Sequence, residues 1–215
     1  MTPTTSPTVF IVDDDSGIRY SLRTLLETAD LRVECFASAE DFLPTCSADQ
    51  CGCLLLDVRM PGMSGPELQK ELARRGIGMP IIFLTGYADL GTGVEAMKHG
   101  ATDFLTKPIN GALLLQRVRN ALELDRLHRQ AETARQRFLA RLLKLTDRER
   151  EVLVLALSGM VNKNISAHLR ISLRTIEGHR SRIFLKTGSS SLLELAQQAS
   201  QAGITLSEVI ERLKK

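Results

Sequence analysis

Five side chains in the first half of this chain are of the kinds that handle phosphate and divalent cations, and each closes a short apolar run. Asp13 and Asp14 follow Val9-Phe10-Ile11-Val12, and Asp57 follows Cys53-Leu54-Leu55-Leu56. Thr85 ends Pro80-Ile81-Ile82-Phe83-Leu84, and Lys107 closes the run from Thr102 to Leu105. Runs this short and this apolar have the pattern of strands buried on both faces of a parallel sheet. Open α/β sheets gather their ligands beyond the carboxyl ends of their strands, so the five side chains are expected at one edge. Three clustered carboxylates raise one another's pKa unless a cation joins them. Oxygen donors alone suit Mg²⁺. A carboxylate beside such an ion can accept a phosphoryl group and become an acyl phosphate. The Lys107 ammonium would then counter the phosphoryl charge, and the Thr85 hydroxyl would bond a phosphoryl oxygen. Taken singly, each residue has a plainer reading: a turn for the aspartates, a helix cap for Thr85, a solvated Lys107.

The elements that must position them alternate. Ser16 to Ala29 carries Ile18, Leu22, Leu25, Leu26 and Ala29 at helical spacing. Val33 to Phe36 reads as a strand, and Ser38 with Asp41 three residues on as a helix start. Met60-Pro61-Gly62 and Ser64-Gly65 are turn signals after Asp57, with Pro66 at a helix entry and Leu68 and Leu72 on one face. Val94, Ala96 and Met97 lie on a further helix that Gly100 ends, and Thr102 to Leu105 is the fifth strand. Five such alternations imply a parallel sheet with helices on both faces. From Ala112 to Leu145 there is no Gly or Pro, and Leu114, Val118, Ala121, Leu124, Leu127, Ala131, Ala134, Phe138 and Leu142 recur at helical spacing. One helix of roughly 50 Å, at ~1.5 Å per residue, is the economical reading; a flexible linker over Asp125 to Gln136 is the alternative. Beyond it every segment is helical in pattern. Thr146 with Glu149, Ser191 with Glu194 and Thr205 with Glu208 form capping boxes.

Net charge is +3 over 215 residues, but it is unevenly placed. Residues 1–125 hold 11 Lys and Arg against 17 Asp and Glu, net −6; residues 126–215 hold 17 against 8, net +9. An acidic front and a basic back imply two domains, the second with a polyanionic partner, unless the excess is simply a solvated basic face. No apolar run approaches the ~18 residues of a membrane helix. The segment Met1 to Thr8 lacks the charged start and apolar core of an export signal. Cys35, Cys46, Cys51 and Cys53 show no metal spacing and read as reduced thiols of a cytoplasmic protein. His99, His128, His168 and His179 show no metal spacing either.

Val12-Asp13-Asp14, Leu56-Asp57-Val58-Arg59-Met60-Pro61, Leu84-Thr85-Gly86 and Phe104-Leu105-Thr106-Lys107-Pro108 together resemble the receiver domain of bacterial response regulators over roughly residues 8–124. The resemblance implies a flavodoxin-like, doubly wound five-stranded parallel sheet of order 2-1-3-4-5. It implies phosphorylation of Asp57 by a sensor histidine kinase. Mg²⁺ would be held by Asp14, Asp57 and the Arg59 backbone carbonyl, with Asp13 assisting. Phe104 falls at the family's aromatic switch position, where plain core packing would serve equally, and Lys107-Pro108 at its usual cis peptide.

In the basic half, Asn162 to Leu169, Ile171-Ser172 and Thr175 to Arg180 read as helix, tight turn, helix, with Arg174, Arg180, Arg182 and Lys186 on the second helix as a footprint for DNA. Over residues 142–203 this resembles the DNA-binding domain of the NarL/FixJ (LuxR-type) regulators, an all-α four-helix unit. Two departures stand out: Ser190 where the family usually has Arg, and Leu185 and Thr187 in inverted polar-then-Leu order. With Ile176 and Ile183 taken as the buried line, Arg174, Gly178, Ser181 and Leu185 face away, flanked by Glu177 and Arg182. The family's geometry puts that stripe in the major groove, so Arg174, Thr175, Glu177, Gly178, Ser181 and Arg182 are candidate DNA contacts. Arg180 and Lys186 are candidates for phosphates. Three divisions are expected: a receiver over 1–124, a helical linker over 125–143 and a DNA-binding domain with its tail over 144–215. The whole then reads as a response regulator that dimerises on phosphorylation and binds double-stranded promoter DNA. RNA polymerase is a further partner, and activation is the expected sense. It is no enzyme beyond self-phosphorylation from a phosphodonor and self-dephosphorylation. A Mg²⁺-dependent phosphohydrolase is the rival, but the sequence supplies no second general acid for one.

Overall fold

The computed structural model describes residues 6–86 and 102–214; the helix expected around Val94, Ala96 and Met97 lies outside them. The chain divides into two compact units, Met1–Leu127 and His128–Lys215. In the first unit β1 (Thr8–Val12), α1 (Ser16–Glu27), β2 (Arg32–Phe36), α2 (Ala39–Phe42), β3 (Gly52–Asp57), α3 (Gly65–Arg74), β4 (Ile81–Thr85) and β5 (Asp103–Thr106) precede α4 (Gly111–Leu142), which continues into the second unit. The strands form one sheet of order β2-β1-β3-β4-β5, parallel throughout, as the order of apolar runs implies. Because side chains alternate across a strand, the sheet buries two layers. Phe10, Val12, Leu54, Leu56 and Phe83 pack with Phe42, Leu68 and Leu72. Val9, Ile11, Leu55, Ile82 and Leu84 pack with Leu22, Leu26, Leu114, Val118 and Ala121. The fifth strand runs one residue later than expected, ending at Thr106 opposite Thr85.

Local chemistry sets the helix starts. Asp15, the third of the aspartates, is a cap: its carboxylate accepts from the Gly17 and Ile18 amides at 2.7 and 3.1 Å. Ser38 accepts from the Asp41 amide at 3.1 Å, and Glu67 reaches back to the Ser64 amide at 2.8 Å. At the far end of the sheet from Asp57, Asp125 is buried and accepts the Gly52 amide at 2.9 Å. Asp125 is therefore an anchor of the first unit, not the opening of a flexible linker.

In the second unit the end of α4 is followed by α5 (Asp147–Leu157), α6 (Asn162–Leu169), α7 (Leu173–Thr187), α8 (Leu192–Gln201) and α9 (Leu206–Leu213). The four expected helices are α5 to α8. To them α9 adds a fifth, since Ile204, Val209 and Leu213 join Phe138, Leu142, Val152, Leu153, Ile165, Ile176, Ile183 and Leu195 in one core. The tail beyond Gly203 thus belongs to the unit. The boxes at Thr146 and Thr205 close as expected. That at Ser191 does not: its hydroxyl accepts from the Glu194 amide, but the Glu194 carboxylate turns instead to the Ser190 amide and hydroxyl at 2.6 and 2.5 Å. The middle of α4 stands outside both cores, with Leu124 and Leu127 each 48% exposed. No helix among the described residues is long and apolar enough to cross a membrane.

The tightest point of the sheet is Gly52, whose φ is +153° and where a Cβ would lie 1.9 Å from the Thr8 carbonyl oxygen. Gly52→Ala must therefore part β1 from β3 and is expected to cost about 3 kcal/mol in urea unfolding. Gly78→Ala, in open space, should change stability by no more than about 0.5 kcal/mol. Equal midpoints for the two variants would refute this reading of the β1–β3 contact.

Candidate functional site

Asp13 and Thr85 are fully buried, Asp57 is nearly so, and Asp14 is exposed. One carboxylate oxygen each from Asp13, Asp14 and Asp57 lies within 4.8 Å of the others. The Lys107 ammonium sits between two of them, 2.8 Å from Asp13 Oδ2 and 2.8 Å from Asp57 Oδ1. Backbone geometry holds each group in place. The Asp13 carboxylate accepts the Asp15 amide at 2.9 Å, while its carbonyl accepts Arg19 Nη1 at 2.7 Å. The last residue of β3, Asp57, pairs with Leu84 in register, which brings Thr85 beside it. Gly65 packs so closely behind Asp57 that a Cβ there would come within 2.3 Å of the Asp57 carbonyl oxygen. Arg59 lies in the turn directly after β3, and that turn is tied to α2 by Glu40, which accepts the Met63 amide at 2.9 Å. Lys107-Pro108 is cis. Phe104, half-buried, packs on the core layer that contains Phe83.

Electrostatics match the geometry. Burial pushes the Asp57 carboxyl above its ordinary pKa; the Lys107 hydrogen bond and charge pull it back, and the charges of Asp13 and Asp14 raise it again. Burial alone would depress Lys107, but its hydrogen bonds and ion pairs with Asp13 and Asp57 outweigh that and raise it. Three carboxylates face one ammonium, an excess of two negative charges with oxygen donors alone. That donor set fits a hard divalent cation such as Mg²⁺. The Thr85 hydroxyl points elsewhere for now, donating to the Gly86 carbonyl at 3.1 Å.

In the second unit, Arg170 takes a left-handed φ of 53° at the end of α6 and turns the chain toward α7. The Ser172 hydroxyl caps α7 through the Thr175 amide at 3.1 Å. Ile176 and Ile183 are buried, while Arg174, Thr175, Glu177, Ser181 and Arg182 are exposed and Gly178 is half-buried between them. Leu185, on the same outward stripe, is 83% exposed. Its counterpart in the inverted pair, Thr187, is buried with its hydroxyl 2.8 Å from the Ile183 carbonyl and 2.7 Å from Ser189 Oγ. Two of the cations singled out from sequence are engaged within the fold. The Arg180 guanidinium donates to Asn162 Oδ1 at 2.7 Å and lies 5.6 Å over the Phe184 ring. The Lys186 ammonium is 2.6 Å from Glu149, a buried carboxylate of α5. Burial would raise the Glu149 pKa, but Lys186 and the Thr146 amide and hydroxyl hold it below the usual range. Lys186 thus ties α7 to α5, an engagement that its expected place among the phosphate contacts did not include. The pairing roles of Asn162 and Glu149 were missed in the sequence. The capping box marks Glu149 in the sequence, but no sequence signal pairs it with Lys186 37 residues on.

Residues 9–119 match the family model of the response regulator receiver domain, and residues 143–199 that of the bacterial regulatory proteins of the luxR family. The transcriptional regulatory protein FixJ of Azorhizobium caulinodans is 42% identical over 91% of this chain and 93% of its own. The transcriptional regulatory protein TdiR of Thauera aromatica is 43% identical over 87% of this chain and 83% of its own. Among solved structures, the response regulator StyR is 41% identical, covers 92% of this chain and 100% of its own, and superposes with a TM-score of 0.84.

Removing the Lys107 charge leaves Asp13 and Asp57 opposed without a counterion. Lys107→Met is expected to lower unfolding stability by about 2–3 kcal/mol, less than a wholly buried pair because the lysine is partly exposed. Added Mg²⁺ should restore more stability to this variant than it adds to the parent. Denaturation midpoints that ignore both the substitution and the metal would contradict this account of the charge balance.

Proposed function

Given that this chain belongs to the response regulators that join a receiver to a LuxR-family DNA-binding domain, we propose that Asp57 is the residue that accepts the phosphoryl group. The observation that carries this is the placement of Lys107 at 2.8 Å from both Asp13 and Asp57 beside a carboxylate trio. The donor is the phosphohistidine of a sensor kinase or a small acyl phosphate. A carboxylate oxygen of Asp57 bonds to phosphorus as the bond to the leaving imidazole nitrogen or acyl oxygen breaks; the imidazole leaves neutral with its ring protonated from solvent, and the acyl group leaves as a carboxylate without a proton. Asp14, Asp57 and the Arg59 carbonyl, with Asp13 assisting, would hold Mg²⁺, which would supply charge neutralisation of the phosphoryl oxygens. Lys107 keeps its contact with Asp13 and follows the new phosphoryl oxygens. The Thr85 hydroxyl gives up the Gly86 carbonyl to donate to one of them, and Phe104 repacks in the space this vacates. Such a shift changes the protein's equilibrium by its differential affinity for the two states. It favours a receiver-mediated dimer that sets two DNA-binding units on promoter DNA, where RNA polymerase responds. The setting is the cytoplasm, and hydrolysis of the aspartyl phosphate is the only turnover the protein performs.

In the DNA complex α7 enters the major groove. Arg174, Thr175, Gly178, Ser181 and Arg182 line the approach, and Glu177 accepts a hydrogen bond from a cytosine amino group. Arg180, oriented by Asn162 and Phe184, serves a phosphate at the edge of the groove.

Two outcomes test this. With acetyl phosphate and Mg²⁺ the parent chain should take up phosphate and Asp57→Asn none, since an amide is a poor nucleophile; chelation of the metal should silence the parent. Stoichiometric uptake by Asp57→Asn would move the site elsewhere. On a panel of single-base operator variants, Glu177→Ala should lose about 1–3 kcal/mol of discrimination at one base pair while its non-specific binding stays level. If Glu177→Ala instead tightens every site equally, Glu177 repels phosphate and reads no base.

A further inference from the structure

We infer that a cationic cleft in the second unit, bounded by α5, the end of α6 and the end of α9, docks a short acidic segment of a partner protein. The cleft measures about 790 Å³, a size at which specific ligand sites occur. Three cations line it: Arg150 from α5, Arg170 from the α6 turn and Lys214 from the end of α9. Among the described residues none of the three makes an ion pair. Arg148 also lines the cleft, but its guanidinium is taken up by Glu151 at 2.5 Å and the Leu169 carbonyl at 2.8 Å. With that pair cancelled, the lining carries three positive charges against the one carboxylate of Asp147, and Arg150 also borders the adjoining cleft that holds Glu208, Glu211 and Arg212.

Arg150 lines the cleft with a guanidinium that makes no ion pair among the described residues. Its Nε is buried without an acceptor and lies out of reach of a docked segment, so an arriving group meets the two terminal nitrogens. A carboxylate fits them, because the guanidinium fork can hold two oxygens at once. Between the cations the wall is apolar, built by Val154, Leu155 and Leu213. A segment that alternates carboxylates with an apolar side chain satisfies both parts of the lining.

Duplex DNA fits less well. No residue of α7 lines the cleft, and a duplex backbone presents a convex rail of phosphates with no apolar complement to the Val154–Leu155 wall. The backbone also favours a definite site: the left-handed φ of Arg170 fixes where that side chain leaves the α6 turn. This surface lies apart from the stripe of α7 proposed to read bases.

The test is fluorescence anisotropy of a labelled peptide of alternating Glu and Leu, titrated with the full chain. Saturable binding that weakens with salt is expected, together with no binding of the matching Lys and Leu peptide. Arg150→Gln combined with Lys214→Gln should weaken peptide binding at least about tenfold, equivalent to ~1.4 kcal/mol. Arg170→Asn, which tolerates the left-handed backbone, should also weaken it. Unchanged thermal melting would show that the variants fold, and Lys214→Gln alone, at the exposed end of α9, serves if Arg150→Gln does not. Peptide affinity that is the same in parent and variants overturns the proposal. It falls equally if the peptide fails to bind while the variants lose affinity for a mixed-sequence duplex, which would make the cleft a phosphate contact.

Discussion

The first unit depends on one ammonium group. Lys107 comes from the end of β5 to meet carboxylates from the ends of β1 and β3, and without it the sheet edge would carry like charges in a buried setting. Such a site is stable only because the cation is present, and it remains negative enough to recruit a metal. The same shortage of positive charge that makes the edge costly to fold suits it to the Mg²⁺-assisted phosphoryl acceptance proposed for Asp57. Stability and function therefore draw on one charge balance. The close approach of Gly65 to the Asp57 backbone and the tie from Glu40 to Met63 hold the carboxylate steady while that balance changes.

The second unit solves a related problem differently. Glu149 is buried where α5 begins, and its charge is met by the capping bonds of Thr146 and by Lys186. That ion pair consumes a lysine which would otherwise join the basic surface. Arg180 is likewise spent in part on Asn162 and Phe184. The net positive charge of this half is thus a poor guide to its DNA contacts, since part of it is internal structure. Of what is left, part lies on the outward stripe of α7 and part lines the Arg150–Arg170–Lys214 cleft.

The two halves also differ in how their helices are held. In the first unit α1, α3 and the start of α4 are laid on a sheet whose central strands, β1, β3 and β4, are buried on both faces. In the second, α5 to α9 share one core, and the local caps decide where each helix starts. The swap at Leu185 and Thr187 is accommodated there because the Thr187 hydroxyl finds the Ile183 carbonyl and Ser189. A buried hydroxyl with both partners is tolerable where an unpaired one would not be.

The sequence by itself determined the strand and helix alternation, the parallel sheet and the meeting of Asp13, Asp14, Asp57 and Lys107. It did so although Lys107 and Asp13 are 94 residues apart, because a parallel sheet brings the carboxyl ends of all its strands to one edge whatever lies between them. Two of the three capping boxes were legible because they are complete within four residues. The third failed because the Glu194 side chain had a competing donor one residue nearer the turn, Ser190, and local pattern cannot rank two donors of equal reach. Only the tertiary structure decided that Lys186 answers Glu149 across 37 residues, that Arg180 answers Asn162 across 18, and that Asp125 closes on Gly52 across 73. No periodicity encodes such pairs. A charged side chain on a helix reads the same whether it meets solvent, DNA or a buried partner, and only the packing of the neighbouring helix or strand selects among the three.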